Sequence, residues 1–325
     1  MTKPRGSLGY LEEIAKRFVL ITEDLSPSLP LKKVVYVFAG DHGIVEEGVS
    51  AYPQEVTRQM ILNFLNGGAG INVIARQVGA DVYVVDVGVA GEVEDPRLIK
   101  KKVVSGTRNF LREPAMTREE AEKALSVGME LAKEAQAKGY QLLIPGDMGI
   151  GNTTPSAAVL CALLKASPEE IVGRGTGIDD QALAHKREVV REALQKYRFS
   201  DPIDVLAKVG GAEIGAIAGL FLGGASLRIP VVVDGFISLA GLAIAYHLEP
   251  GIKDFIFCGH CSQEKGAVVA IQKMGLRPII DLDMRLGEGT GAALAAFIIE
   301  TALRILTEMA TFEGAGVSKG REFDN

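Results

Sequence analysis

Short apolar segments rich in β-branched residues recur along the chain, and helix-forming segments separate them. Six of these segments have the length and composition of buried strands, and they cover residues 33–38, 81–87, 141–144, 229–233, 254–257 and 278–282. Strands that alternate with helices in this way form a parallel sheet. The pattern therefore predicts an α/β fold with about six parallel strands and flanking helices.

Polar residues follow the ends of the predicted strands. Asp41 and His42 come after the first strand, Asp234 after the fourth, and Ser262 after the fifth. In an open parallel sheet, ligands bind beyond the carboxyl ends of the strands. We therefore expect these polar residues to converge on one site.

The third strand runs into a glycine-rich loop and a helix of small residues, with the sequence GDMGIGNTTPSAA at residues 146–158. Gly149 and Gly151 let the backbone approach a ligand closely. Asn152 with Thr153 can cap the helix, whose free N–H groups attract an anion. The loop matches neither the P-loop nor the dinucleotide-binding glycine pattern. It is either a phosphate or carboxylate site or a tight turn without a ligand, and the convergence of the polar residues favours the site.

Composition and charge narrow the function classes. The chain has 325 residues, 47% of them hydrophobic, and a formal net charge of −6, so it lacks the basic surface that nucleic-acid binding requires. No uninterrupted apolar run reaches the roughly 18 residues of a membrane span, and the N-terminus lacks the apolar core of a signal peptide. We therefore predict a cytoplasmic protein with no membrane span and no nucleic-acid partner.

Cys258 and Cys261 form a C-x-x-C motif of the kind found in thiol–disulfide oxidoreductases. A thioredoxin-like unit does not fit six alternating strands, and three cysteines provide neither a second zinc-binding pair nor a disulfide framework. His42 and His260 lack the spacing of a metal site. We predict no redox function, no catalytic metal and no cofactor.

Glu288 lies between two glycines after the last predicted strand, which should leave its carboxylate exposed at the mouth of the site. An ordinary glutamate has a pKa of about 4.3, and an apolar pocket raises that value toward useful basicity. Glu288 is therefore a candidate general base. The alternative is a carboxylate at a helix N-terminus that only interacts favourably with the helix dipole.

Six motifs taken together resemble the nicotinate-nucleotide:dimethylbenzimidazole phosphoribosyltransferases. They are GDHGIVEEGVSAYPQEVTRQM (40–60), GDMGIGNTTPSAA (146–158), GRGTGIDD (173–180), VGGAEIGAIAG (209–219), VVDGFIS (232–238) and RLGEGTGAAL (285–294). The motifs are long and ordered, and they span nearly the whole chain.

The resemblance implies a glycosyltransferase that moves 5-phosphoribose from nicotinate mononucleotide to 5,6-dimethylbenzimidazole. The products are α-ribazole 5′-phosphate and nicotinate, in the assembly of the lower ligand of cobalamin. The resemblance also implies a homodimer and a Rossmann-like sheet, with a large domain at residues 31–300 and a small helical portion at residues 1–30 and 301–325. Two other functions remain open: a related phosphoribosyltransferase that uses another base, and a sensor that binds nicotinate mononucleotide.

The resemblance further implies roles for individual residues. Glu288 is the general base that takes the benzimidazole proton. The phosphate and ribose side is formed by Gly149, Gly151, Asn152, Thr153, Lys186 and Ser262. The flat aromatic pocket is formed by Ser50, Tyr52, Gln59 and Leu286, and Asp234 is a ribose or nicotinate neighbour. The family often has Glu where this chain has Asp147, which is one methylene shorter, so Asp147 is an auxiliary candidate only.

Overall fold

The computed structural model describes residues 1–175 and 177–318, in which one sheet lies between two layers of helices. The strands are β1 Lys33–Gly40, β2 Ala80–Gly88, β3 Ile99–Lys100, β4 Leu142–Met148, β5 Val231–Val233, β6 Ile256–His260 and β7 Pro278–Ile280. The helices are α1 Tyr10–Thr22, α2 Glu55–Leu65, α3 Gly70–Val78, α4 Arg118–Ala137, α5 Thr153–Leu164, α6 Pro168–Ile171, α7 Asp180–Lys196, α8 Pro202–Val209, α9 Ala212–Ser226, α10 Phe236–Leu248, α11 Lys265–Lys273 and α12 Thr290–Glu308.

All neighbouring strands are parallel, in the order β3-β2-β1-β4-β5-β6-β7. The predicted α/β fold with a parallel sheet and flanking helices is therefore confirmed. The chain adds strands in one direction from β1 to β3 and in the other direction from β4 onward. Such a reversal opens a crevice at the carboxyl ends of the two central strands, here β1 and β4.

The sheet has seven strands where the sequence predicted about six. The additional strand is β3, which has two residues and pairs only with Val85 and Asp86 at the edge of the sheet. A strand this short has no detectable alternation of apolar and polar positions. Its pairing therefore becomes visible only when β2 is in place beside it.

β1 divides the core between the two faces of the sheet. All eight of its residues are buried, as expected for a central parallel strand covered on both faces. Val34 and Phe38 face the core layer that contains α4, α5, α9 and α10, whereas Val35 and Val37 face the layer that contains α1, α2, α3 and α12. The period of two along the strand thus holds both helical layers on one central element.

The two ends of the chain pack together, because α1 lies against α12. Ile14, Phe18 and Ile21 of α1 belong to the same core layer as Val35 of the central strand. The division into a large domain at residues 31–300 and a small helical portion stays a prediction. Residues 319–325 of that predicted portion, and Thr176 of the GRGTGIDD motif, lie outside the described residues.

Among the described helices, α12 alone passes a length and composition test for a membrane span, and half of the tested window is buried inside the protein. Core helices of soluble proteins pass the same test. Within α12, Glu300 accepts hydrogen bonds from the Lys33 side chain of β1 and from the Leu31 amide, at 2.5 and 3.2 Å. This helix therefore carries a nearly buried ion pair to the central strand, with side-chain exposures of 2% for Lys33 and 13% for Glu300.

We predict that Glu300→Ala lowers the free energy of unfolding by about 3 kcal/mol, because it leaves the Lys33 ammonium buried without its partner. Glu308→Ala on the same helix is the matched control, since Glu308 forms an exposed ion pair with Arg304 and exposed pairs contribute little. Urea denaturation measures both variants. Equal losses of unfolding free energy in the two variants would show that burial does not increase the contribution of the Lys33–Glu300 pair to stability.

Candidate functional site

A cavity of about 410 Å³ lies at the carboxyl ends of the central strands. Most of the residues predicted for the site line it, namely Ser50, Tyr52, Asp147, Gly149, Gly151, Asn152, Thr153, Ser262, Leu286 and Glu288. Three predicted residues do not belong to its described lining, namely Gln59, Lys186 and Asp234. Of the four polar residues that were expected to converge after the strand ends, Asp41, His42, Asp234 and Ser262, only Ser262 belongs to the described lining.

The glycine-rich loop presents backbone donors to this cavity. Gly151 has φ of +87°, a left-handed conformation that glycine adopts without strain, and α5 begins two residues later. Within the described residues, the amides of Gly151 and Thr153 donate to no protein acceptor. Unpaired N–H groups at a helix N-terminus attract anions. This loop can therefore bind a phosphate group.

The expected cap of α5 by the Asn152 side chain is wrong. Asn152 has helical dihedrals, φ −58° and ψ −22°, whereas capping side chains need an extended backbone. Its Nδ2 instead donates to Asp147 Oδ2 at 3.0 Å. The Thr153 amide, the first of the helix, thus stays available for a ligand, whereas the Thr154 amide donates to the Gly151 carbonyl.

Lys186 on α7 lies behind the loop and reaches the site through Thr153. Its Nζ donates to Thr153 Oγ1 at 2.6 Å, and the lysine side chain is almost completely buried. Burial lowers the pKa of Lys186 to about 8, an effect that the nearby Glu264 carboxylate partly offsets. The site therefore contains a cation that is close to losing its proton near neutral pH.

Glu288 is buried, with 6% of the residue exposed, so the expectation of an exposed carboxylate is wrong. Its φ is +62°, a strained value for a residue other than glycine, and such strain is concentrated at functional sites. Its Oε2 accepts the Ile71 amide in the first turn of α3 at 3.0 Å. Gly70 makes room, because a Cβ there would lie 2.8 Å from Leu286 Cδ2 and 3.3 Å from Glu288 Oε2. Burial raises the pKa of Glu288, as a general base at neutral pH requires.

Asp234 lies beneath the loop that carries Glu288 and is completely buried. Its Oδ2 accepts the Gly289 amide at 3.2 Å, and its Oδ1 accepts the Ala292 amide at 2.9 Å. Burial raises the pKa of Asp234, whereas His260, with Nε2 3.6 Å from Oδ1, opposes this rise. Asp234 therefore holds the N-terminus of α12, and with it the position of Glu288.

Asp147 ends β4 at the wall of the cavity. Burial, reinforced by the charge of Asp234, raises the pKa of Asp147 to about 8, although the hydrogen bond from Asn152 opposes the rise. Glu288 also contributes to this repulsion. Because like charges in a dry site are unfavourable, Asp147 holds a proton at neutral pH.

The predicted aromatic pocket is assembled in part. Tyr52 and Leu286 line the cavity with more than half of their surface exposed, and Ser50 Oγ accepts the Tyr52 amide at 3.3 Å. Gln59 is exposed on α2 and points away from the core, because Thr57 and Ile61 occupy the buried positions of that helix. The role of Gln59 in the pocket therefore stays a prediction without a contact to support it.

Sequence reasoning missed several residues of the site. Arg285 lines the cavity, and its Nη1 donates to the Gly175 carbonyl at 3.3 Å. Beneath the cavity, the Nε2 of His42 lies 2.8 Å from Oε1 of the fully buried Glu213. The sequence did offer an indication of Glu213, because an acidic residue is unusual in the VGGAEIG segment of small and apolar residues. For Arg285, there was no indication in the sequence apart from its position in the RLGEGTG motif.

The C-x-x-C motif does not have the electrostatics of a reactive thiol pair. Cys258 and Cys261 are free, and burial raises the pKa of both, to about 12 for Cys258. Reactive cysteines need a lowered pKa. Among the described residues, no group of three or more histidine, cysteine, aspartate or glutamate side chains is arranged to hold a metal ion.

Comparison with known proteins identifies the family. A family model described as phosphoribosyltransferase matches residues 1–317. A nicotinate-nucleotide–dimethylbenzimidazole phosphoribosyltransferase of Geobacter sp. (strain M21) is 58% identical over 320 residues, which are 98% of this chain and 91% of that protein. A protein of the same name from Geobacter sulfurreducens is 58% identical over 322 residues, with the same coverage.

A solved structure agrees with these relatives. The crystal structure of CobT from Thermus thermophilus is 52% identical, covers 98% of this chain and 96% of its own, and superimposes with a TM-score of 0.94. The similarity therefore includes the whole fold. The chain belongs to the phosphoribosyltransferase family whose members are named nicotinate-nucleotide–dimethylbenzimidazole phosphoribosyltransferases.

Proposed function

We propose that this chain transfers the 5-phosphoribosyl group of nicotinate mononucleotide to 5,6-dimethylbenzimidazole. The products are α-ribazole 5′-phosphate and nicotinate, used for the lower ligand of cobalamin. One observation carries the proposal: a single cavity combines the buried carboxylate of Glu288 with the unpaired amides of Gly151 and Thr153. A base and a phosphate anchor are the two parts that this displacement requires.

The phosphate of the nucleotide binds at the N-terminus of α5. The amides of Gly151 and Thr153 donate to its oxygens, and Lys186 supplies positive charge from behind Thr153. Ser262, whose Oγ accepts the Glu264 amide at 3.4 Å, lies on the ribose side of the cavity. Anchoring the phosphate holds C1′ of the ribose in place for attack.

Glu288 takes the proton of the benzimidazole N–H group. Because Oε2 is held by the Ile71 amide, the proton goes to Oε1. The other ring nitrogen forms its bond to C1′ while the bond from C1′ to the nicotinate nitrogen breaks on the opposite face. The electron pair of the broken bond leaves with nicotinate, and nearby carboxylates stabilise positive charge that develops on the ribose.

The aromatic acceptor lies between Tyr52 and Leu286, which present flat and apolar surface to the cavity. Relatives named as transferases support this reading over a nucleotide sensor, since none of those reported above is named as a sensor. A related transferase that uses another base would share this site. Flat heteroaromatic bases differ by methyl groups, each of which changes binding by only about 1 to 3 kcal/mol.

We further propose that the protein acts in the cytoplasm as a homodimer. The apolar surface at the two chain ends supports an assembly, because Leu20 and Leu25 are exposed beside a groove of about 570 Å³ between α1 and α12. A small helical portion built from the chain ends, on a Rossmann-like sheet, would place this surface at one side of the subunit.

Incubation with nicotinate mononucleotide, with and without dimethylbenzimidazole, tests the function through release of nicotinate. We expect rapid release only when both substrates are present. Glu288→Gln should reduce turnover by about 10² to 10⁴-fold with nearly unchanged nucleotide affinity, because the amide cannot take the proton.

The same variant separates catalysis from a structural role. The glutamine side chain still offers an oxygen to the Ile71 amide, so the melting temperature should change little. Near-normal turnover in Glu288→Gln would overturn the general-base assignment. Failure of the unmodified protein to release nicotinate would overturn the proposed function itself.

Lys186→Ala should weaken the binding of nicotinate mononucleotide by roughly ten- to a hundred-fold, because it removes the positive charge that is hydrogen-bonded to Thr153 beside the phosphate site. In the unmodified protein, affinity should fall as the pH rises through about 8, where free Lys186 loses its proton. The variant should lack this pH dependence. Lys196→Ala, which changes an exposed lysine at the end of the same helix, should retain it. Nucleotide affinity is measured as a function of pH for the unmodified protein, Lys186→Ala and Lys196→Ala. The same pH dependence in all three would contradict a role for Lys186.

Asp147→Asn should remove a pH dependence of stability. The folded pKa of Asp147 is about 8 and its unfolded pKa is about 3.9, so its contribution to stability is full below the lower value. That contribution is lost as the pH rises to about 8, because the unfolded chain releases the proton more readily. Relative to the unmodified protein, the asparagine variant should therefore gain stability as the pH rises from about 4 to about 8. A difference in unfolding free energy that is constant over this range would show that Asp147 has an ordinary pKa.

A further inference from the structure

Thr57, in the first turns of α2, is a completely buried polar residue that lies outside the cavity lining. Its Oγ1 accepts the backbone amide of Ile150 at 3.1 Å. Ile150 is the central residue of the glycine-rich loop, between Gly149 and Gly151. A helix far from the loop in sequence thus makes a direct side-chain contact with the phosphate-binding backbone.

The Asp41 carboxyl group, one residue beyond the end of β1, is a second polar neighbour of the Thr57 hydroxyl. The Thr57 hydroxyl and the Ala90 amide both interact with the Asp41 carboxyl group, and they oppose the rise in its pKa that burial causes. The amide of Ala90 donates to Asp41 Oδ2 at 2.8 Å. Thr57 therefore lies between the Asp41 carboxyl group and the Ile150 amide, from which its hydroxyl accepts a hydrogen bond.

The loop lies close against the end of β1, and its glycines make this approach feasible. A Cβ at Gly149 would lie 2.3 Å from the carbonyl oxygen of Gly40, and one at Gly151 would lie 2.5 Å from Val45 Cγ2. The loop backbone is therefore supported by β1 and by the turn that contains Val45. Thr57 adds the one side-chain hydrogen bond to a loop amide at this support within the described residues.

The direction of the Ile150 amide determines which neighbouring amides are free. Because this N–H group points to Thr57, it is not available to a ligand. The left-handed turn at Gly151 then reverses the chain, and the amides of Gly151 and Thr153 are left without protein acceptors in the described structure. The set of donors for phosphate thus depends on the contact between Thr57 and Ile150.

We propose that Thr57 is a positioning residue for phosphate binding: by fixing the Ile150 peptide, it aims the amides of Gly151 and Thr153 at the substrate phosphate. The proposal rests on the proposed function for the identity of the substrate. It assigns Thr57 no contact with substrate. Its effect should therefore appear in binding of the phosphate and not in the chemical step.

Thr57→Val tests the proposal, because valine keeps the shape of the side chain and removes the hydroxyl. We expect the KM for nicotinate mononucleotide to rise about ten-fold, as for loss of one well-placed hydrogen bond, with kcat nearly unchanged. With nicotinate riboside, which lacks the phosphate, the kcat/KM should match that of the unmodified protein. Thr57→Ser keeps the hydroxyl and should restore the lower KM.

Two further variants keep the test decisive. Thr22→Val makes the same chemical change at the end of α1, outside the cavity lining, where the Thr22 hydroxyl donates to the Phe18 carbonyl, and it should leave the kinetics with both substrates unchanged. If Thr57→Val does not fold, Thr57→Ala adds no atoms and should give the same selective loss. An equal loss with the riboside and the mononucleotide, or no loss with either, would overturn the proposal.

Titration with inorganic phosphate separates this proposal from the proposed function. Calorimetry should show about ten-fold weaker phosphate binding in Thr57→Val than in the unmodified protein and Thr57→Ser. If the unmodified protein binds phosphate but releases no nicotinate, the proposed transferase function is overturned. The difference in phosphate affinity between the variants still tests the role of Thr57. If nicotinate is released normally and phosphate binding is equal in all variants, only the role of Thr57 is overturned.

Discussion

Three carboxyl groups lie in one buried region at the carboxyl end of the sheet, and the cost of burying their charged forms is the constraint on which the site depends. Burial is the largest cause of the raised pKa of Asp147, Asp234 and Glu288 alike. The groups differ in the donors they receive. Asp234 accepts two backbone amides beside His260, Glu288 accepts one amide, and Asp147 accepts the side chain of Asn152. Because Glu288 accepts one amide through Oε2, that oxygen is fixed and Oε1 is available to accept a proton.

In the proposed function, a phosphate group binds in the same cavity as these acidic groups. Asn152 lies between the acidic groups and the positive end of the helix, because its side chain donates to Asp147 while its backbone precedes α5. The helix N-terminus and Lys186 then provide positive potential on the other side of this residue. Burial lowers the pKa of Lys186, and a negatively charged ligand at this helix N-terminus would favour the charged form of the lysine.

The sequence allowed prediction of the parts that local pattern encodes. The apolar segments located β1 within two residues, and glycines with polar neighbours indicated the loops after β4 and before α12. The two-residue strand β3 had no periodic signal, and the capping role of Asn152 failed because its backbone is helical. Burial of Glu288 also could not be predicted, since flanking glycines suggest exposure whereas α3, which is far away in sequence, covers the side chain. Such errors arise where contacts between distant segments override local tendencies.

The polar groups beneath the cavity also could not be paired with one another from the sequence. Asp41 and His42 directly follow β1, but their neighbours are Thr57 on α2 and Glu213 on α9, more than a dozen residues away in each case. Burial disfavours protonation of His42, yet the Glu213 carboxylate outweighs this effect, and the net result is a raised pKa for His42. A charged pair in a dry interior needs close contact to remain favourable, which ties the start of α9 to the end of β1. The glycine-rich loop lies against that same end of β1, so its geometry depends on buried polar groups that come from several distant segments of the sequence.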